Sequence, residues 1–184
     1  MSTRGAIAVL TGDSWQGRYH HFASYPAGLG RTLFRLYHQT FGRDHAAMAT
    51  TLVEQHPAGW STIINPAGPH PFTVPDFDHS GFAEPDSSDH ARFPACYCHG
   101  SRNDSAQLLV CRCPGNTEGC LPLWIEWVYV LTPTGMQVLT SHHPDSDREA
   151  AHRLVAWVPW QQEEPYWQHL HQRVDTARIP ALGT

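Results

Sequence analysis

Lysine is missing from this chain: all 12 basic residues are arginines, set against 17 acids for a formal charge of -5. No cluster of cations offsets those acids, so a general nucleic-acid partner is not expected. Also missing are any apolar run near the roughly 20 residues that span a bilayer, and any basic-then-apolar leader with a small-residue cleavage site. No membrane partner is expected, and the cytosol is the default compartment. Cysteine is scarce and odd in number, at Cys96, Cys98, Cys111, Cys113 and Cys120. In a reducing compartment that count favours metal binding or plain burial over a disulfide framework. Long regular elements are not expected in 65–95, where Pro66, Pro69, Pro71, Pro75, Pro85 and Pro94 fall, so a long Pro/Gly/Asp-rich loop or lid is expected.

What is present is enough apolar residue for one core. At 184 residues and 41% hydrophobic content, 1–184 reads as one domain. Arg4–Leu10 and Trp15–Phe22, joined by a polar loop, predict a hairpin leading into a helix over Leu29–Phe41 that Gly42 stops. Asp44 is placed to cap a second helix carrying Ala47, Met48, Leu52 and Val53, which His56-Pro57-Ala58-Gly59 ends before a short strand at Trp60–Ile64. Further strands are expected at Gln107–Cys113, Leu123–Leu131, Met136–Ser141 and Leu154–Val158, then a closing helix over Gln161–Arg178. The sum is an α+β domain, mainly antiparallel sheet with two or three packed helices.

Two groups of residues carry chemistry. In the first, Glu126 lies in a strand apolar on both faces and needs a cation or a proton, for which Arg4 is the natural partner. The same atoms serve either a structural ion pair or a site for a small anionic molecule. In the second case His20 is the general acid or base, Tyr25 positions an oxygen, Arg4 binds the anion, and backbone N–H groups from Gly28 through Gly30 to Arg31 cradle it. The second group is a pair of C-x-C units, Cys96/Cys98 and Cys111/Cys113, whose strands would bring four thiols to one face of a hairpin and suit tetrahedral zinc. Cys120 and His99 are alternative ligands. The closed four-cysteine version is structural; only three ligands plus water make a catalytic site. His38, His45, His56, His70, His79 and His90 share no period and read as surface residues, as do His142, His143, His169 and His171.

Thr3-Arg4-Gly5, Tyr19-His-His-Phe-Ala-Ser-Tyr-Pro-Ala-Gly-Leu-Gly30 and Ile125-Glu-Trp-Val-Tyr-Val130 resemble a family of small proteins carrying TRG, YNHFDSYPxGLG and EWxYxID motifs. The resemblance implies a shared fold and no named activity. The chain departs from that pattern at His20, where asparagine is usual, and at Ala23, where aspartate is usual.

Three other readings compete. Met1 removal would expose Ser2 as an N-terminal nucleophile hydrolase. Arg4, then Trp60-Ser61-Thr62, then Glu126 follow the order of an ADP-ribosyltransferase-like enzyme. Trp157, Trp160 and Trp167 would form the contact patch of a non-catalytic protein-interaction module, or else pin the last helix to the sheet.

Overall fold

The computed structural model describes residues 3–12, 14–63, 95–98, 108–111, 125–142 and 151–170. An eight-stranded sheet organises them, with the order β4-β3-β2-β1-β6-β7-β8 and β5 also on β2. The strands are β1 (Gly5–Thr11), β2 (Ser14–His20), β3 (Trp60–Thr62), β4 (Ala95–Cys96), β5 (Leu108–Cys111), β6 (Trp127–Thr132), β7 (Gly135–His142) and β8 (Ala151–Pro159). Pairing is antiparallel except for β1 with β6 and β2 with β3. The α+β, mainly antiparallel expectation holds.

The first hairpin forms as the pattern predicts, with Thr11 opposite Ser14 and Gly5 opposite His20. Because β1 takes β6 on its other side, β6 is buried along its whole length, which is why its residues are apolar on both faces. That strand starts at Trp127, so Ile125 and Glu126 lie just ahead of it instead of within it. At the other end Thr132 locks the turn into β7: its Oγ1 donates to Gly135 O and accepts from Gly135 N–H.

Helix α1 comprises the contiguous segments Pro26–Gly30, Arg31–Arg35 and Leu36–Thr40. It starts three residues before Leu29, because Pro26 fits the first turn, where its missing N–H costs nothing. Gly42, with φ +56°, stops it. Helix α2 comprises His45–Ala49 and Thr50–Glu54 and is capped as expected, Asp44 Oδ1 accepting from Ala47 N–H at 3.0 Å. A last helical stretch, α3, covers 167–170 among the described residues. It starts later than Gln161 because Gln161 and Gln162 belong to the turn leaving β8, where Gln162 N–H donates to Pro159 O, and 163–166 lie in no regular element.

One face of the sheet packs on the helices through Ile7, Trp60, Trp127, Tyr129, Met136, Val138 and Trp160, closed by Leu29, Leu33, Met48 and Leu52. Burying each such large side chain is worth about 1.5–3 kcal/mol. Trp160 stacks on Tyr37 at 4.2 Å and donates to Thr132 O. Trp160 and Trp167 therefore pin helices to the sheet, and only Trp157 of the three is exposed. Ala6, Ala8, Trp15, Ile125, Val128 and Val130 form a second apolar cluster, with Tyr19 packed against it. The 65–94 segment and residues 171–178 of the expected closing helix lie outside the described residues.

Candidate metal centre

The end of α2 sets this site. Helix termini leave carbonyls without intrahelical donors. Here Trp60 Nε1 donates to Leu52 O at 2.8 Å, Arg18 Nε to Val53 O at 2.7 Å and Arg18 Nη1 to Pro57 O at 3.1 Å. A cation at a helix C-terminus also opposes the negative end of the dipole. The chain then turns through His56-Pro57-Ala58-Gly59, with Gly59 N–H donating to His56 O at 2.9 Å. Gly59 is required twice over. Its φ is +84°, and a Cβ there would stand 2.6 Å from Tyr19 O.

That turn delivers His56 to β4. Trp60 pairs with Cys96, and Tyr97 N–H donates to Gly59 O at 3.0 Å. The donor atoms of His56, Cys96 and Cys98 consequently all lie within 4.8 Å of one another. His56 and Cys96 are buried and Cys98 is half-buried. The His56 ring rests on Trp60 at 4.2 Å. The Cys96 thiol, then the His56 ring and the Ala58 N–H at 3.3 Å, hold the Cys98 thiol down at about 4, against burial that pushes it up. In turn, Cys98 partly offsets the lowering that burial imposes on Arg18.

Among the described residues, β4 and β5 do not pair with each other as the expected four-thiol hairpin requires. β4 pairs with β3, whereas β5 pairs with β2, where Cys111 is opposite Trp15. The Cys96 end of the sheet meets β2 at His20, five residues further along, or about 17 Å at the rise of a strand. Cys111 therefore belongs to the opposite end of β2, and Cys113, Cys120 and His99 lie outside the described residues. The residue that joins Cys96 and Cys98 in a cluster able to hold a metal is His56, assigned to the surface by its isolation in sequence. Its signal was a histidine in a glycine-closed turn between a helix and a short strand.

The structure gathers Arg4, His20, Tyr25 and Glu126 at one end of the sheet but does not aim them together. Gly5 is opposite His20. Strand alternation puts Arg4 on the face of Ala6, Ala8 and Tyr19, while His20 points to the helix side. Arg4 and Glu126 meet through the backbone, Glu126 N–H donating to Arg4 O at 2.9 Å. Tyr19, missed in the sequence, hydrogen-bonds through its hydroxyl to His21 Nδ1 and stacks on Tyr97. Burial and then Tyr97 push its hydroxyl up to about 12, with Arg4 opposing them.

His20 is wholly buried, and both ring nitrogens are engaged. Ile63 N–H donates to Nε2 at 3.3 Å, which leaves the proton on Nδ1 for Ser24 Oγ at 2.8 Å, and the Ser24 hydroxyl donates to His20 O. Burial, followed by the charge of His21, lowers its pKa to about 3, so it stays neutral. Tyr129 extends the network, its hydroxyl donating to Ser24 O at 2.7 Å. Tyr25 precedes α1 and is partly exposed.

The expected N–H cradle falls inside α1. Gly28 N–H donates to Tyr25 O, Leu29 N–H to Ala23 O, and Arg31 N–H to Gly28 O and Pro26 O. Gly28 and Gly30 serve packing: a Cβ at Gly28 would collide with Ala23 O, and at Gly30 it would press on Trp167 and Tyr129 at 3.0 Å. Ser61 of β3 lies two strands from β1, which follows Arg4, and three from β6, which follows Glu126, about 10 and 14 Å by strand spacing, which separates the transferase-like trio. Ser2 lies outside the described residues. No helix among the described residues is long and apolar enough to cross a membrane. No family model matches the chain, and neither does any curated protein sequence or solved structure.

Proposed function

We propose that this protein is a metal-binding domain in which His56, Cys96 and Cys98 hold a divalent ion of the zinc class. The observation that carries the reading is the convergence of two thiols and an imidazole, from segments 40 residues apart, within 4.8 Å. Thiolate and imidazole are the donors zinc takes. Around tetrahedral zinc such donors stand about 3.5–3.8 Å apart, so binding would draw the cluster in by no more than about 1 Å. The Ala58 N–H and Arg18 favour negative charge on the sulfurs before any ion arrives. Bound there, the metal would staple the end of α2 to the edge of the sheet; a fourth ligand from the chain makes it structural, and water makes it a Lewis acid.

A small anionic ligand at the Arg4 end has less behind it, because the Gly28, Leu29 and Arg31 N–H groups already donate to backbone carbonyls and His20 is enclosed. Elemental analysis of tag-free protein tests the metal reading, with Cys98→Ser as comparison. One equivalent of zinc is expected, weakened more than about 100-fold in the variant, since even loss of an outer-shell partner costs 10–100-fold. Metal well below one equivalent, with affinity unchanged by Cys98→Ser, would overturn it.

A further inference from the structure

We infer that Cys96 and Cys98 are also an oxidisable dithiol, which a hydroperoxide converts to an intrachain disulfide. The inference uses the sulfurs of the proposed metal site but does not require the metal. Cys96 and Cys98 bracket Tyr97 at the chain turn leaving β4, and their sulfurs lie within 4.8 Å. Closing to the roughly 2.05 Å of an S–S bond asks for side-chain rotation and a short local shift.

Burial assigns the order of events. Cys98 is half-buried, within reach of a small oxidant, while Cys96 is only 5% exposed, its sulfur within 4.8 Å of that of Cys98. The Ala58 N–H, 3.3 Å from Cys98 Sγ, faces the sulfur that must carry negative charge. The Cys98 thiolate attacks one peroxide oxygen, the O–O bond breaks, and the departing hydroxide or alkoxide takes a proton from water. Cys98 is then a sulfenic acid, and the oxidant has accepted two electrons. Cys96 attacks that sulfur, the S–O bond breaks, and the hydroxide leaves as water with the Cys96 proton. In sum two thiols lose two electrons and two protons, and the hydroperoxide becomes water plus water or an alcohol. A metal on the same sulfurs occupies the lone pairs that attack, so metal and oxidant compete.

The test is hydrogen peroxide on the full chain, chelated or zinc-loaded, followed by intact mass and peptide mapping. The chelated protein should lose two hydrogen atoms, mapped to a Cys96–Cys98 link, and zinc should slow that loss. In Cys96→Ser, a 1,3-dione trap should label Cys98. Oxidation of the chelated wild type that bypasses this pair, or that carries Cys98 to the sulfinic acid with no disulfide, would overturn the inference. The two readings fail separately. Zinc that does not bind, beside a disulfide that forms, removes the metal; zinc that binds, beside a pair that stays reduced when chelated, removes the dithiol.

Discussion

His20 and His56 are buried almost equally, at 0% and 4% exposure, and Trp60 touches both neighbourhoods, pairing with His20 in the sheet and lying 4.2 Å from the His56 ring. Around His20 the protein supplies one acceptor and one donor, so the ring completes a chain of buried polar groups from Ile63 to Ser24 and Tyr129. Around His56 it supplies two thiols, one of them half-buried. Burial by itself therefore does not distinguish a structural histidine from a ligand. The chemical type of the neighbours does: hard hydrogen-bonding partners fix a tautomer, and soft sulfur donors with a shared centre suit a metal.

The strongest way to break this contrast is His20→Ala. Ile63 N–H would lose its acceptor and Ser24 Oγ its donor in a place water does not reach, beside a cavity the size of the ring. The expected cost is about 3–5 kcal/mol in denaturant unfolding, with zinc stoichiometry in the folded fraction unchanged. A cost below about 1 kcal/mol would mean that the network carries no stability.

Features set by neighbours in sequence were legible before the fold. The polar loop fixed the first hairpin, Asp44 capped α2, and Thr132–Gly135 made the β6–β7 turn. The pairing of β4 with β3 and β5 with β2 was not legible, because two C-x-C units a short loop apart look like a hairpin and nothing local says that each joins a different strand. Strand parity divides the Arg4 site: His20 is opposite Gly5, which sends the Arg4 and His20 side chains to opposite faces. Ala23 shows the same limit. Its φ of +53° is a left-handed conformation that aspartate and asparagine adopt more readily than alanine, so the aspartate of the resembling motif has a conformational reason that needs no acid or base role.

Acid sharpens the contrast next. Unfolded, His20 titrates near 6.5; folded, it resists protonation down to about 3. Above pH 6.5 neither state carries the proton and the stability is full. As pH falls from 6.5 towards 3 the unfolded chain gains a proton that the native state refuses, and stability drops by up to about 1.4 kcal/mol per unit. Between pH 6.5 and 4.5 that amounts to about 2–3 kcal/mol. His20→Asn retains a donor for Ser24 and has no such titration, so subtracting its pH profile from the wild type's isolates the residue from the other 13 histidines. Parallel profiles would refute the assignment.

The smallest expected effect is the most discriminating. In the metal-free protein, His56→Gln gives up a ring contact with Trp60 but keeps much of the buried volume, so it should cost only about 1 kcal/mol. With zinc at 100 times its dissociation constant, the wild type should gain about 2.7 kcal/mol that the variant lacks, because binding to the native state alone adds RT ln(1 + [L]/Kd). Paired denaturant curves with and without zinc measure both quantities on one sample. If His56→Gln proves as costly as His20→Ala before any metal is added, and zinc stabilises both proteins alike, then His56 is a second structural histidine and its thiol neighbours are incidental to it. A small metal-free cost joined to a lost zinc increment would instead assign the two buried rings to different work: one closing a polar network, the other completing a donor set.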